Sequence, residues 1–517
     1  MWGSRHRAGL GAGIRAEECG ERWVARGIPQ HSAHSSAARR HGRGSARGYG
    51  WRVTETQRGK VPTTTRPSVQ TPLASTTSTR RVVWASFVGT ALESYDFYIY
   101  AYFASLLLSP LFFGPDAGAL GVAGAFLTIA ISFLVRPIGA AIFGHLGDRI
   151  GRRPTLILTI TLMGVATGLI GVLPTFDQAG WLGAVGIVIL RIVQGLSLGG
   201  EWGGAILLAT ENAPARKKAL YAAMPQLGSP VGSILSASLF LLMFATVSTE
   251  DMLAWGWRIP FLTAIPLLAV SLYLRWSVQE TAVFKTIDAQ GLKPRFPLAT
   301  VFKAQPAAFF VAVGASLLGI GSYALMNTYT MNYGSTPVEA GGLGFSYMSL
   351  LTAATIGGLL QLVTIPLFGW WATRIGSARV VAIGAIGTLV IAFPIYLLLT
   401  QANFAVLVAL MVVGGILPTL SWAGLGGLMR DLFSPRYGYS ALAFAYAIGA
   451  TLTAFVPNIT QALGVASGNA WWHPGVVLAV LSAVTLVAAI VATRMRPPAE
   501  EAAIEEAVEE SLEAVRS

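Results

Sequence analysis

The chain contains few charged residues and almost no cysteine. Only 12% of its 517 residues are charged, about half of the roughly 25% that is typical of soluble domains. Cysteine occurs once, at Cys19, so disulfides, thiol catalysis and cysteine metal sites are excluded from the rest of the chain. The six histidines are scattered, and none stands at ligand spacing from a carboxylate. We therefore expect neither a metal nor a cofactor, and without a Walker loop or a nucleophile beside a base we expect no enzyme.

Long apolar runs fill most of the remaining sequence. Hydrophobic residues make up 54% of the chain, and the mean hydropathy is +0.60. Runs such as 156–173 and 476–491 hold no charged residue, and each is near the roughly 20 residues that cross a bilayer. We predict an all-α membrane protein with twelve transmembrane helices. The predicted spans are 82–113, 117–143, 154–173, 183–209, 219–247, 257–277, 304–332, 345–372, 378–399, 402–429, 439–465 and 471–493.

The net charge of +12 comes mainly from the N-terminal end of the chain. Residues 1–81 hold 15 Lys and Arg against 4 Asp and Glu, a balance of +11, and the remaining residues hold 21 against 20. A basic tail can bind nucleic acid or a membrane surface. This one is rich in Arg, Gly, Ser and Thr and has no apolar stretch that would build a core. We predict that residues 1–80 are a disordered basic tail, and we expect no binding of nucleic acid.

The basic residues of the predicted loops lie on one side of the membrane. Loops after odd-numbered spans carry acidic residues, and Arg258 is their only positive charge. Loops after even-numbered spans carry the others, which are Arg149, Arg152, Arg153, Arg216, Lys217, Lys218, Lys285, Lys293, Arg295, Lys303, Arg374, Arg379 and Arg436. Because loops rich in Lys and Arg remain in the cytoplasm, we predict that both termini are cytoplasmic.

One short segment of the chain occurs twice. Residues 143–151 read FGHLGDRIG and residues 368–376 read FGWWATRIG, with an offset of 225, and each follows the second of six spans. This repeat predicts two homologous six-helix halves, 81–277 and 304–496, with a substrate site between them at mid-membrane. A cytoplasmic loop, 278–303, would join the halves.

An acidic tail, 497–517, follows the last predicted span. Ile504, Val508 and Leu512 recur every four residues in this tail. The spacing predicts an amphipathic helix of about four turns. Such a helix is either a solvated tail or the site of a coiled-coil contact, and the segment is short for the second.

The loop between the second and third predicted spans resembles a known family signature. Gly144-x-x-x-Asp148-Arg149-x-Gly151-Arg152-Arg153 matches the loop signature of the major facilitator superfamily. Neighbouring segments resemble the metabolite:proton symporters of that superfamily, the group with citrate, 2-oxoglutarate, shikimate and proline/betaine permeases. These segments are Glu93-Ser-Tyr95-Asp96-Phe97 in helix 1, Arg136-Pro-Ile-Gly139 in helix 2, and Arg191-x-x-Gln194-Gly195 and Gly200-Glu201-Trp202 in helix 4.

The resemblance implies the major facilitator fold and transport coupled to protons. It also implies that the gating loop, which comprises Gly144, Asp148, Arg149, Gly151, Arg152 and Arg153, is a charge latch at the cytoplasmic face. Asp148 is expected to cap or pair near the start of helix 3, where a carboxylate favours a helix N-terminus. The sequence departs from the family in its second half, where Thr373 replaces the acidic residue of the repeated loop and Ala447 replaces a frequent asparagine.

Five ionisable residues lie well inside predicted spans, away from their ends, and all are in the first half: Glu93, Asp96, Arg136, Arg191 and Glu201. Each costs at least roughly 2.5–3.5 kcal/mol at the bilayer centre, so a function is expected. Glu93 and Asp96 stand three residues apart on one helical face, where joint ionisation is unfavourable. We predict that Glu93 and Asp96 couple transport to protons, with Glu201 as a second proton site or as a partner of Arg136.

Arg191 and Arg136 are the predicted binding residues for an anionic substrate, with Gln194 and Tyr329 as polar neighbours that orient it. We expect Arg191 to pair with Glu93 or Asp96, either as a switch that protonation opens or as a permanent structural bridge. The resulting hypothesis is a proton symporter that imports a small organic acid across the bacterial inner membrane. Its expected partners are protons, the lipid bilayer and the substrate, which we predict to be a carboxylate. The oligomeric state stays open, and we expect a monomer to be sufficient. The alternatives are a proline/betaine permease, a drug exporter and a non-transporting membrane sensor.

Overall fold

The computed structural model describes residues 79–114, 118–340, 342–401, 403–495 and 504. These residues form helices joined by short turns, and they include no β-strand. The all-α prediction is therefore confirmed for the described part of the chain. The two predicted tails lie outside the described residues, apart from Thr79, Arg80 and Ile504.

Six helical segments, α1 to α6, form the first half of the membrane domain. Their bounds are Thr79–Leu106 for α1, Gly118–Leu134 and Arg136–Arg149 for the two pieces of α2, Arg152–Ile170 for α3, Trp181–Glu211 for α4, Lys218–Ala223 and Gly228–Thr246 for the two main pieces of α5, and Ile259–Leu262 and Ala264–Trp276 for those of α6. The first span was predicted to end at residue 113. In the structure α1 ends at Leu106, and a separate short helix, Leu108–Phe112, follows it.

Six further segments, α7 to α12, form the second half. Their bounds are Pro306–Tyr323 and Thr330–Ser335 for the two pieces of α7, Tyr347–Ile375 for α8, Ser377–Leu399 for α9, Phe404–Leu432 for α10, Gly438–Thr453 and Val456–Ala466 for the two pieces of α11, and His473–Arg494 for α12. A π-helical turn, Ala324–Tyr329, joins the pieces of α7. Between the halves stand Pro297–Ala304 and a short helix, Ala282–Ala289, which we call the loop helix.

The lengths and composition of these helices suit a membrane. Among the described residues, eleven helical segments are long and apolar enough to cross a bilayer, one for each of α2 to α12. The remaining helix, α1, has 28 residues, which is also enough to span, but Glu93, Asp96 and several tyrosines make it more polar. The polar span is thus the one that carries two of the predicted proton-coupling residues.

The repeated sequence segment has the same backbone turn in both halves. Gly151 precedes α3 with φ of 116°, and Gly376 precedes α9 with φ of 93°. This left-handed region favours glycine, because other residues place a β-carbon against the backbone there. The third helix of each half therefore begins at an equivalent turn, as the 225-residue repeat predicts.

Glycines allow α2 and α4 to pack with their backbones close together. A β-carbon on Gly139 would lie 1.9 Å from the carbonyl oxygen of Leu196, and one on Gly199 would lie 2.3 Å from that of Arg136. Small residues serve this purpose in membrane bundles, where close backbone packing replaces the hydrophobic effect. This packing fixes the position of Arg136 at the start of the second piece of α2.

The loops that carry most of the basic residues meet at one end of the bundle, which we call the basic face. The two halves are in direct contact near it. A β-carbon on Gly144 of α2 would lie 2.7 Å from Ser440 of α11, and one on Gly203 of α4 would lie 2.8 Å from the amide nitrogen of Ala443. The space between the halves is therefore closed toward the basic face.

Candidate functional site

A central cavity lies between the two halves and has a volume of about 180 Å³. Its lining comes from helices of both halves, as the repeat predicts for a transporter. Aromatic side chains form much of the wall: Phe97, Tyr98, Phe133, Trp202, Tyr323, Trp422 and Tyr446. Polar side chains interrupt this wall, among them those of Ser229, Thr328 and Gln361. The arrangement is that of a ligand pocket, with an apolar surface and a few polar groups that orient the ligand.

Two of the predicted charged residues, Glu93 and Arg136, line this cavity. Glu93 is 8% exposed and Arg136 is 7% exposed. Within the described residues, neither side chain forms a hydrogen bond or an ion pair, and Glu93 Oε2 and Arg136 Nε are buried without a partner. The Arg136 guanidinium lies 4.3 Å from the centre of the Phe133 ring. Burying such groups without a hydrogen bond is costly. A polar or charged ligand in the cavity could therefore supply the hydrogen bonds that both groups lack.

Asp96 is fully buried and outside the cavity lining, in a polar network. Its Oδ1 accepts hydrogen bonds from Thr167 Oγ1 at 2.5 Å and from Gln194 Nε2 at 2.6 Å. Its Oδ2 lies 4.0 Å from Arg191 Nη1, which donates to Gln194 Oε1 at 2.9 Å. The Arg191 guanidinium also lies 3.9 Å from the centre of the Tyr100 ring.

Of the two pairings expected for Arg191, the structure has the one with Asp96, and Glu93 is not paired with Arg191. Arg191 and Gln194 do not appear in the cavity lining. The predicted substrate residues therefore separate into Arg136, which faces the cavity, and Arg191 with Gln194, which hold Asp96 behind it.

Glu201 forms a separate buried ion pair with Arg275 of α6, which donates to Glu201 Oε1. Glu201 Oε2 accepts a hydrogen bond from Thr159 of α3 at 2.9 Å. Of the two roles expected for Glu201, the partnership with Arg136 is therefore wrong, because Arg275 occupies its carboxylate. Sequence reasoning missed Arg275, which is the penultimate residue of α6 and reads as a basic anchor at a helix end. Gly89 of α1 makes room for its guanidinium.

Tyr329 is not part of the cavity lining. Its hydroxyl is hydrogen-bonded to His473 Nε2 of α12, and its ring stacks on Tyr333 at 5.8 Å between centroids. The structure therefore does not bring Tyr329 to the other predicted substrate residues. It ends the π-helical turn of α7, and its neighbour Thr328 faces the cavity instead. No pattern in the sequence indicated the π-helical turn, although such turns often occur at functional sites.

An aromatic floor closes the cavity toward the basic face. Trp202 of α4 stacks on Tyr446 of α11 with ring centroids 4.0 Å apart and an interplanar angle of 8°. Trp202 Nε1 donates to Gln226 Oε1 at 3.3 Å, and Gln226 donates to the carbonyl oxygen of Trp422. The floor joins helices of both halves. Sequence reasoning did not single out Trp202 or Tyr446 for this role.

The gating loop connects the halves at the basic face. Asp148 accepts hydrogen bonds from the amide nitrogens of Tyr439 at 3.1 Å and Ser440 at 2.9 Å, and these are the first-turn amides of α11. It also pairs with Arg152 of α3 at 3.3 Å. The predicted pairing near the start of the third helix is therefore present, but the helix that Asp148 caps belongs to the second half. A carboxylate there satisfies amides that have no partner within the helix.

The arginines of the gating loop have different surroundings. Arg152 is buried and donates to the carbonyl oxygen of Pro435 at 2.9 Å, and it pairs with Glu211 at 3.3 Å. Arg153 donates to the carbonyl oxygen of Trp276 at 2.9 Å, whereas Arg149 is exposed. Only Arg152 thus links the two halves directly.

Glu280, at the start of the connecting loop, contacts the gating loop. Its carboxylate accepts hydrogen bonds from the amide nitrogens of Arg153 at 3.1 Å and Thr281 at 2.9 Å. Burial raises the pKa of Glu280 above its ordinary value, although these hydrogen bonds and the charge of Arg152 oppose that shift. In the part of the chain that the structure describes, no group of three or more His, Cys, Asp or Glu side chains is placed to hold a metal ion.

Comparisons with known proteins agree with this fold. Residues 82–294 match the family described as sugar (and other) transporter, and residues 329–516 match the major facilitator superfamily. The shikimate transporter of Escherichia coli K12 is 35% identical over 438 residues, which are 84% of this chain and 97% of that protein. The inner membrane metabolite transport protein YhjE of the same organism is 34% identical over 423 residues, 81% of this chain and 95% of that protein.

The solved structures that resemble this fold include that of the proton:xylose symporter XylE. Its TM-score is 0.64 at 18% identity, with 81% of this chain and 96% of that chain covered. At this identity the likeness concerns the fold alone.

Proposed function

This chain belongs to the major facilitator superfamily, and we propose that, as a multi-pass membrane transporter of that superfamily, it is a proton symporter for a small organic acid. The observation that carries the proposal is the pair of buried cavity residues Glu93 and Arg136. Within the described residues neither forms a hydrogen bond or an ion pair, although Arg136 lies against the Phe133 ring. Arg136 would bind the carboxylate of the substrate, and Glu93 would carry the proton. A guanidinium matches a carboxylate with two parallel hydrogen bonds.

Charge balance in the cavity gives a reason for the coupling. With Glu93 ionised and Arg136 charged, the empty cavity is neutral. A bound carboxylate adds one negative charge, and protonation of Glu93 restores neutrality. Because an unbalanced charge is costly in a dry cavity, substrate and proton favour each other's binding. The loaded and the empty cavity are then the two neutral states in which the halves rearrange.

The other ionisable residues are proposed to support this pair. Asp96 already has partners, because Thr167 and Gln194 donate to its Oδ1 and its Oδ2 lies 4.0 Å from Arg191, although Oδ2 accepts no hydrogen bond within the described residues. Both carboxylate oxygens of Glu201 accept hydrogen bonds, from Thr159 and Arg275. Both residues remain candidates for a second proton. Their existing ion pairs with Arg191 and Arg275, however, favour a structural role over one that changes partner in each cycle.

The direction of transport follows from the proposed orientation. If the basic face is cytoplasmic, as the loop charges predict, the described conformation is closed to the cytoplasm by the gating loop and the aromatic floor. The cavity would then receive substrate from outside, and the protein would import it across the inner membrane. The name of the relative YhjE, an inner membrane metabolite transport protein, agrees with this location.

A second candidate is a permease for a zwitterion such as proline or betaine. The same two residues favour it, because an ionised Glu93 and Arg136 would hold the positive and negative ends of one molecule. The aromatic wall also suits a quaternary ammonium group through cation–π contacts. In this case Glu93 binds the substrate and carries no proton.

Uptake by purified protein in proteoliposomes separates these functions. Organic acids, betaine and proline would be tested with and without a pH gradient that is acid outside. The proposal expects an organic acid to accumulate only with the gradient. Accumulation of a zwitterion would favour the second candidate, and organic-acid uptake that ignores the gradient would exclude proton coupling. Uptake of none of them would leave an exporter or a sensor.

A further inference from the structure

The helix that carries the cavity arginine is interrupted just before it. The two pieces of α2 meet at Val135, a position that we call the α2 break. Pro137 stands in the first turn of the second piece and has no amide hydrogen. In an unbroken helix the amide of residue 137 would donate to the carbonyl oxygen of Phe133, four residues earlier. The sequence therefore leaves that carbonyl group without its ordinary helical partner.

A threonine of the second half supplies the missing hydrogen bond. Thr451 Oγ1 of α11 donates to the carbonyl oxygen of Phe133 at 2.8 Å, and it lies 2.9 Å from the carbonyl oxygen of Ala447 in its own helix. Bonding within the helix is the usual state of a threonine in a spanning helix. A backbone carbonyl within a span is costly to leave without a donor. The hydroxyl of Thr451 thus replaces the amide hydrogen that Pro137 lacks.

The first half holds the α2 break from another side. A β-carbon on Gly195 of α4 would lie 2.4 Å from the carbonyl oxygen of Ser132 and 2.5 Å from Cγ2 of Val135. Only glycine leaves room for this approach, so the backbone of α4 packs directly against the break. The α2 break is therefore fixed by α4 of its own half and by Thr451 of the other half.

The residues on either side of the α2 break belong to the cavity. Phe133 and Arg136 both line it, and the Arg136 guanidinium lies 4.3 Å from the centre of the Phe133 ring. Arg136 and Thr451 also lie at one depth. Arg136 stands thirteen residues before Arg149, the end of α2, and Thr451 stands thirteen residues after Gly438, the start of α11. At 1.5 Å per residue each is roughly 20 Å from its end at the basic face.

We propose that Thr451 is a positioning residue of the substrate site. Its hydrogen bond to the Phe133 carbonyl fixes the α2 break, and the break sets where the Phe133 ring and the Arg136 guanidinium enter the cavity. Thr451 is itself not part of the cavity lining, so it acts on a ligand through these two residues. The effect on binding rests on the proposed function, since it assumes that Arg136 holds the substrate carboxylate. The replacement of the missing amide does not.

Thr451→Val tests the effect on binding. Valine has the shape of threonine but cannot donate, so the Phe133 carbonyl loses its partner and the α2 break relaxes. The probes are citrate, 2-oxoglutarate, shikimate, proline and betaine, all of which carry a carboxylate. For any probe that the wild type binds, calorimetry should show an affinity about fivefold lower in Thr451→Val. Thr451→Ser should bind as the wild type does, because serine keeps the hydroxyl.

Arg136→Gln, which removes the carboxylate site itself, provides the reference. A loss of affinity in Arg136→Gln beside an unchanged affinity in Thr451→Val would overturn the positioning role. No loss in either variant would contradict both the positioning role and the proposed carboxylate site.

Thr460→Val is the matched control on the same helix. Thr460 is fully buried in the second piece of α11, and its hydroxyl donates to the carbonyl oxygen of Val456 in that helix at 2.7 Å. The affinity of this variant should equal that of the wild type. A loss as large as in Thr451→Val would mean that any buried hydroxyl of α11 has this effect, which contradicts the proposal.

Melting temperatures test the hydrogen bond without any ligand. Thr451→Val should lower the melting temperature of the detergent-solubilised protein by at least about 2 °C, and Thr451→Ser should keep it. Pro137→Ala returns an amide hydrogen to position 137, so the Phe133 carbonyl can receive its helical bond. In the Pro137→Ala background, Thr451→Val should therefore cause less than about half of that loss. Equal losses in both backgrounds would show that Thr451 does not replace the missing amide, whatever the protein transports.

Discussion

At the scale of single residues, Arg136 is the strongest indication of an anionic substrate. Glycine packing between α2 and α4 fixes its backbone, and its guanidinium reaches the cavity beside Phe133. Hydrogen bonds to charged groups contribute about 1.5–3 kcal/mol. Arg136→Gln should therefore weaken binding of the transported acid by roughly tenfold to a hundredfold, measured by calorimetry on purified protein.

Arg379→Gln is the control for the loss of one arginine. Arg379 is exposed, and among the described residues its side chain donates to the carbonyl oxygen of Ile375 on the preceding helix. Its removal should leave the affinity unchanged. Equal affinities of wild type and Arg136→Gln would show that Arg136 does not bind the substrate carboxylate in the cavity.

The sequence could identify most of these charges but not their partners. Ionisable residues are rare in spans because burying a charge in a bilayer costs free energy. This cost alone marks five residues, which are Glu93, Asp96, Arg136, Arg191 and Glu201. Their pairing depends on the rotation of each helix about its axis. A shift of one residue turns a side chain by about 100°, and spans with apolar residues all round carry no pattern that fixes this angle.

At the scale of helices, the close contact between α2 and α4 positions the cavity arginine. Gly139→Ala should lower the thermal stability of the detergent-solubilised protein, because its β-carbon would collide with the backbone of Leu196. Overpacking of this kind costs about 1–3 kcal/mol. Ligand-free unfolding followed by intrinsic fluorescence measures the change.

Gly358→Ala supplies the matched comparison within α8. Nothing lies within 4 Å of the β-carbon that it would add, and alanine is favoured over glycine in a helix interior. Its melting temperature should equal or exceed that of the wild type. If both variants melted alike, the contact between α2 and α4 would not be as close as described.

The helices themselves were largely predictable from the sequence. Apolar runs bounded by Gly, Pro and charge gave the spans to within a few residues in most cases. The π-helical turn of α7 was not predictable, because Ala324–Tyr329 has no composition that distinguishes it from α-helix. The aromatic floor was also missed, since Trp202 and Tyr446 come from helices of different halves.

At the scale of the whole molecule, closure of the basic face depends on Asp148. It caps α11 of the second half and pairs with Arg152 of the first. In Asp148→Asn only one acceptor oxygen remains and the ion pair is lost. Ser440→Cys, in the Cys19→Ser background, places a thiol at a fully buried position where the halves meet. Its labelling by an impermeant maleimide should then rise by about tenfold.

The control for this change is Asp431→Asn. Asp431 is half exposed and contacts its neighbour Arg430 at 2.9 Å, near the same face. Labelling of Ser440→Cys should stay at the wild-type rate in this variant. A similar rise in both would mean that general loss of acidic charge, and not the cap on α11, opens the face.

The division into two halves was visible in the sequence through the repeated loop. The conformation was not visible in the sequence, because the contacts between the halves join residues far apart in the chain. Gln226 and Trp422 are 196 positions apart, and Asp148 and Ser440 are 292 apart. The loop sequence does not indicate whether the face that it lines is open or closed. The sequence pattern thus predicts the two-half architecture but not the conformation of the basic face.

The measurement that tests the central claim most directly is gradient-driven uptake by Glu93→Gln. Glutamine has the shape of a protonated glutamate, so substrate exchange across proteoliposomes without a gradient should remain within about twofold of wild type. Accumulation driven by an outside-acid pH gradient should fall by at least tenfold, since the proton carrier is lost. Glu250→Gln, at an exposed residue, should change neither. Full gradient-driven accumulation in Glu93→Gln would contradict the account.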